Sequence, residues 1–270
     1  MGVDRRAYAQ EKMARLTREI PPSALAEEGS TAQIKAFDLA PDGTSVAVLY
    51  AKWRSSPHPT AAELWVAVWN ISDNKPVWKQ RLDTDTTSGA ARVNDAKDLI
   101  FTADQSHLLA LAVKRVWSLD AGNGGTTVSI APPAGVSGTP VQVSALTGTK
   151  AAVTYRQKED SDFYTQLIDV SSGSRINGWA TTAIPQSFSA DGKLAITVTP
   201  RNGTLEVQVV DTSNGATLRT IPVPISSEKN HSHESVSAVA RFLGNTMVVI
   251  VPNQKINHSG RPAAYGVQLI

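Results

Sequence analysis

Gln186–Ile221 reads QSFSADGKLAITVTPRNGTLEVQVVDTSNGATLRTI. It holds four short apolar or alternating runs, and Asp191-Gly192, Asn202-Gly203 and Asn214-Gly215 separate them. In the second run Leu194, Ile196 and Val198 alternate with Ala195, Thr197 and Thr199. In the third, Leu205, Val207 and Val209 alternate with Glu206 and Gln208. A period of two belongs to strands with distinct faces. Asn-Gly and Asp-Gly tolerate the positive φ that tight hairpins need. The stretch therefore predicts a four-stranded antiparallel meander.

Diverged copies of the same pattern fill most of the chain. The first has runs at 36–39, 45–51, 63–70 and 77–82, with Pro41-Asp42-Gly43 as its first turn. In its third run Leu64, Val66 and Val68 face one way, and Trp65, Ala67 and Trp69 the other. A second copy starts at Asp98, a third at Val141, the opening stretch is the fourth, and a fifth starts near Ser237. The third runs end in a register mark: Trp69-Asn70, Leu119-Asp120, Ile168-Asp169 and Val210-Asp211. Marks at 70, 120, 169 and 211 are 50, 49 and 42 residues apart. Four strands in a repeat of about 40–50 residues is the pattern of a β-propeller blade. One such sheet cannot bury both faces alone, so blades must stack.

At these residues the chain resembles the WD40-like propeller family in its degenerate bacterial form. The resemblance rests on the Asp-Gly turns at Asp42-Gly43 and Asp191-Gly192 and on the apolar-Asp pair closing the third strand. It covers about residues 34–270. A histidine opening the repeat is missing, and only Trp69 sits at a tryptophan-type position, followed by Asn70. The resemblance implies an all-β propeller, four complete blades and a fifth lacking its last strand. Such a count fits an irregular small propeller, a piece of a longer one, or an open edge filled by a partner. It is silent on chemistry, because a superfold hosts many functions.

Residues 1–33 read as an N-terminal helix and linker. Asp4 caps a helix over residues 4–20, Ala9, Met13, Leu16 and Ile20 form its apolar stripe, and Pro21-Pro22 ends it. Its basic polar face suits a membrane surface or an acidic partner or, more plainly, a helix that docks on the domain or frays at the terminus. Residues 21–33 read as a polar linker.

Composition narrows the function classes. The net charge is +2 with no dense basic stripe, so nucleic acid is not expected. Without cysteine there is no disulfide, thiolate metal site or Cys nucleophile. No apolar run is long enough for a membrane span. Residues 1–30 lack the apolar core of a secretory signal, which makes the cytoplasm the default compartment and a mature extracytoplasmic form the alternative. Neither G-x-S-x-G, a P-loop nor G-x-G-x-x-G occurs, and no cofactor is expected.

Three features carry candidate chemistry. His231, His233 and Glu234 form H-x-H-E; on an extended segment both imidazoles point one way, and His258 can join from a neighbouring hairpin, as a Zn²⁺ site requires. The plainer reading is a solvated connector. Asp83, Asp85, Asp95 and Asp98 lack the spacing of a calcium loop and read as a solvated segment. Trp53, flanked by Lys52 and Arg54 in the hairpin 52–61, reads either as a partner-contact residue with Arg54 or as a ring folded over the blade edge. Two functions follow: a non-catalytic module binding a protein or peptide through propeller loops, or a propeller hydrolase or lyase with a metal or polar site in its channel. The uncharged run Tyr265–Ile270 adds the expectation of self-association by strand pairing.

Overall fold

A computed structural model describes residues 25, 30–54, 62–73, 75–82, 96–112, 114–157, 162–201, 204–224, 239–243, 246–256 and 262–269. The helix expected over 4–20 and the H-x-H-E segment lie outside the described residues. No helix among the described residues is long and apolar enough to cross a membrane.

The fold is all-β and built of four-stranded antiparallel propeller blades. The first sheet is β1 (Ser30–Leu39), β2 (Ser45–Arg54), β3 (Glu63–Asn70) and β4 (Lys75–Arg81). The second is β5 (Ala96–Phe101), β6 (His107–Ala112), β7 (Arg115–Asp120) and β8 (Thr126–Ile130). The third is β9 (Thr139–Ala145), β10 (Lys150–Arg156), β11 (Phe163–Asp169) and β12 (Arg175–Thr181). The fourth is β13 (Ser187–Phe188), β14 (Leu194–Arg201), β15 (Thr204–Asp211) and β16 (Thr217–Pro224). Then come β17 (Val239–Leu243), β18 (Thr246–Ile256) and β19 (Pro262–Leu269) in a sheet of three. Each sheet keeps sequence order, so each is a meander. The chain divides into two compact units, Met1–Arg156 with Leu167–Ile176 and Gln157–Gln166 with Asn177–Ile270.

The alternation in the sequence is what lets a sheet bury both faces. Leu64, Val66 and Val68 of β3, with Ala47, Leu49 and Ala51 of β2, pack on Leu99, Leu108, Ala110, Trp117 and Leu119 of the second sheet. On the other face Ala67 and Trp69 join Val46, Val48, Tyr50 and Leu25. Lys52 and Lys79 lie over the rings of Trp65 and Trp69, at 5.2 and 5.5 Å, and shield that face from water. Burial of each such Leu or Val contributes about 1.5–3 kcal/mol.

The first sheet begins earlier than expected. Ser30–Gln33, read as linker, belong to β1 and pair with Ala51–Arg54 of β2. Thr31 and Gln33 are exposed while Ala32 and Ile34 pack inward, so the period of two was present under a polar composition.

The first strands of adjacent sheets are joined by side chain to backbone bonds. Asp38 Oδ2 accepts the Phe101 N–H at 2.8 Å, tying β1 to β5. In the other unit Gln186 Oε1 accepts from Ala240 N at 2.9 Å and Ser187 Oγ from Phe242 N at 3.1 Å. Gln105 holds φ of 63° at the turn between β5 and β6, and its amide donates to Asp42 Oδ2 at 3.0 Å in the corresponding turn of the first sheet.

A latch repeats where the third strand turns into the fourth. The register-mark Asp closes the turn: Asp120 Oδ1 accepts from Gly122 N and Asn123 N, Asp169 Oδ1 from Ser171 N and Ser172 N, and Asp211 Oδ1 from Ser213 N. Asn70 does the same for Ser72 N. The turn ends in a glycine with positive φ, Gly124, Gly173 or Gly215. Each sits against the outer strand of the preceding sheet. A Cβ on Gly124 would lie 2.5 Å from the Trp78 ring, on Gly173 2.6 Å from Val128, and on Gly215 2.6 Å from Trp179. The carbonyl that follows each Asp also accepts a side-chain hydrogen: Ala121 O from Trp78 Nε1 at 2.8 Å, Val170 O from Ser118 Oγ at 3.3 Å, and Thr212 O from Asn177 Nδ2 at 3.0 Å.

Two outcomes follow from the latch. Gly43 also has positive φ but its Cβ direction is open, so Gly43→Ala carries only the left-handed backbone term, about 1–2 kcal/mol. Gly215→Ala adds overlap with Trp179 and costs a further 1–3 kcal/mol, roughly, readable as a lower urea midpoint. Equal midpoints for the two variants would deny the latch. Hydrogen bonds from Ser171 and Ser172 hold the Asp169 carboxyl below the usual 3.8, and those from Ser213 do so for Asp211. Lowered carboxylate values contribute stability in full above the unfolded value and lose it as pH falls through the folded one. The melting temperature should therefore drop below about pH 4, and less steeply in an Asp169→Asn/Asp211→Asn variant.

Candidate functional site

The first strands β1, β5 and β9 pack side by side, and each carries a β-bulge. In β1 the register jumps between Ile34↔Tyr50 and Ala36↔Leu49, leaving Lys35 unpaired. In β5 it jumps between Ala96↔Ala112 and Asp98↔Leu111, leaving Lys97. In β9 it jumps between Pro140↔Tyr155 and Gln142↔Thr154, leaving Val141. A bulge inserts one residue, twists the strand and re-aims a side chain. All three extra residues, Lys35, Lys97 and Val141, line one cavity of about 550 Å³.

Phe37, Ile100 and Val141 give this cavity half-buried apolar walls, and Leu99 a buried one. Asp38, Asp98 and Gln142 complete the polar lining. Both carboxylates are engaged with backbone: Asp38 Oδ2 with Phe101 N, and Asp98 Oδ1 with Leu99 N at 3.0 Å. Gln142 Nε2 donates to Ser144 Oγ at 3.1 Å. Lys35 is half-buried and Lys97 exposed. Among the described residues neither ammonium has a hydrogen-bond or carboxylate partner.

A Ser–His–Asp group occurs at the turn between β5 and β6. Ser106 Oγ donates to Asp104 Oδ2 at 2.8 Å and lies 2.7 Å from His107 Nδ1. In a nucleophilic triad the imidazole bridges serine and carboxylate and takes the serine proton. Here the hydroxyl is the bridge and donates its hydrogen bond to the carboxylate, which is not the order a nucleophilic triad needs. Burial works to raise the Asp104 carboxyl, but hydrogen bonds from Thr102 and Ser106 and the neighbouring His107 hold it below its usual value. The group fixes the turn.

Of the residues singled out in the sequence, Trp53 stands in β2 rather than in a loop, paired with Thr31 and partly buried against the core between the first two sheets. Arg54 ends the same strand. The longer β1 extends β2 to meet it, which is why the hairpin is shorter than its polar composition implied. Asp98 lies in β5 on the cavity wall, not in a solvated segment. His231, His233 and Glu234 lie outside the described residues. Lys35, Lys97 and Val141 had no sequence signal, since a bulge is visible only in the pairing register.

No family model matches this sequence. No curated protein matches it either. Solved structures do. Hydrazine synthase of Kuenenia stuttgartiensis is 13% identical with a TM-score of 0.50, over 81% of this chain and 74% of that one. Acylaminoacyl peptidase of Pyrococcus horikoshii is 10% identical with a TM-score of 0.53, over 88% of this chain and 38% of that one. The Dos1 propeller is 10% identical with a TM-score of 0.49, over 82% of this chain and 52% of that one. For the first two, likeness at such identity is likeness of fold.

Proposed function

We propose that the chain is a non-catalytic binding module of WD40-like type, which engages a protein or peptide partner at the face where β1, β5 and β9 open into their cavity. The observation that carries this reading is the bulge repeated in three successive first strands. A bulge breaks ladder hydrogen bonds, and here all three breaks serve the same cavity. Rigid strands are suited to hold such a site, and loops beside it widen the contact. The recurring turn aspartates Asp42, Asp104, Asp191 and Asp211 accept hydrogen bonds within their own turns, which supports a structural rather than catalytic role for them.

Peptide display against the purified chain tests the reading. An enriched motif should bind saturably as a synthetic peptide. Val141→Arg, which fills the cavity wall, should weaken it by about tenfold, or 1.4 kcal/mol. Failure to enrich any motif, or full binding in the variant, would count against the site.

The edge position of β19, which pairs with β18 alone among the described strands, supports self-association through that strand. Sedimentation should show a dimer, and proline at whichever of Val267 and Gln268 turns its N–H away from β18 should shift it towards monomer, because it removes a donor of the free edge. A monomer at all concentrations would exclude it.

A further inference from the structure

The first sheet has two apolar faces. The second sheet covers one of them, through Ala47, Leu49, Leu64 and Val66. The opposite face presents Val46, Val48, Tyr50, Ala67 and Trp69, each 1% exposed or less. A sheet is one layer thick, and a face buried to that degree needs a second layer over it. Among the described residues, the apolar side chains packed there are the sheet's own, such as Ile34, Phe37 and Trp65, except for Leu25. Leu25 precedes β1, comes from outside the sheet and is 6% exposed. Lys52 and Lys79 lie over the Trp65 and Trp69 rings and account for part of the cover.

Leu25 also limits where the preceding chain can go. Ile20 stands five residues before it, so even an extended chain separates the two by at most about 18 Å. Ala9, Met13, Leu16 and Ile20 recur at spacings of 4, 3 and 4, which puts them on one side of a helix over residues 4–20. Such a helix is about 25 Å long, and β3 is about 27 Å, so the two match in length. A stripe tethered this close to an apolar face has a high effective concentration for it. Joining them takes both surfaces out of water.

We propose that residues 4–20 dock as a helix on the face of the first sheet that carries Val46, Val48, Tyr50 and Ala67, in the place that a neighbouring sheet takes on the other side. The stripe meets those residues, Lys12 lies at its margin, and Glu11, Arg15 and Arg18 stay in water.

Amine cross-linking of the wild-type chain, read by mass spectrometry, tests it. Within one chain Lys12 should join Lys52 or Lys79, which lie on this face, and not Lys150 on β10 of the third sheet. Leu16→Asp/Ile20→Asp, which puts charge into the stripe, should abolish those links and lower the melting temperature by about 5 °C or more. It should also cause self-association through the bared face, which proline in β19 does not reverse. Leu16→Ala, a milder change, should reduce the links as well and keeps the test valid if the double variant unfolds. Arg15→Gln/Arg18→Gln, on the water side, should leave links and melting as in the wild type. Lys12 links spread equally onto Lys150, or links that persist in the Leu16→Asp/Ile20→Asp chain, would overturn the inference. So would a stripe variant that melts and sediments as the wild type. Links from Lys52 or Lys79 to a second chain in place of Lys12 would put another copy on the face and overturn it too.

Discussion

The fold depends on the contact between a glycine turn in one sheet and the outer strand of the sheet before it. Gly124 on Trp78, Gly173 on Val128 and Gly215 on Trp179 are the same contact made three times. A four-stranded meander leaves two apolar faces, and hydrophobic burial alone would let adjacent sheets slide. The latch sets the slide. Its glycine must accept positive φ and have no Cβ, and the carbonyl after the turn Asp receives a hydrogen from a side chain of the preceding sheet.

The donors to that carbonyl are chemically unrelated. An indole serves Ala121 O, a hydroxyl Val170 O and a side-chain amide Thr212 O. What is constant is the acceptor, the glycine and the Asx residue that shapes the turn. A buried carbonyl left without a donor would be costly, so each interface finds one from whatever residues it has. This explains how copies so diverged in sequence keep one geometry.

The cavity is a different use of the same repeat. The latches hold the outer ends of the strands, where sequence is constrained by close packing. The first strands are tied by bonds such as Asp38 to Phe101 N, and their register shifts there as it does in the outer strands β4, β8 and β16. A bulge at one level in β1, β5 and β9 converts three equivalent positions into Lys35, Lys97 and Val141 around a common space. Repetition of architecture thus supplies a site made of non-repeated side chains. The Ser106–His107–Asp104 group shows the contrast: residue types that suggest chemistry, with the hydroxyl bridging, serve only to hold a turn.

Much of the fold was legible in the amino-acid order, because strand alternation and turn chemistry are local. The two faces of β3, the meander at Gln186–Ile221 and the recurrent Asp at the end of the third strand can all be read along the chain, since period-two burial and Asx turns need no distant partner. Even Ser30–Gln33 carried the alternation, hidden by polar residues on the exposed side. Local order did not say what those features meet. The latch role of Trp78 and Trp179 needs the next sheet's glycine, and the position of Trp53 needs the longer pairing of β1 with β2. Lys35 and Lys97 resemble any surface lysines in the sequence. Only cross-strand register shows that each is an inserted residue, and only the packing of three first strands brings both to one cavity, because a bulge is a property of a pair of strands and a cavity of several.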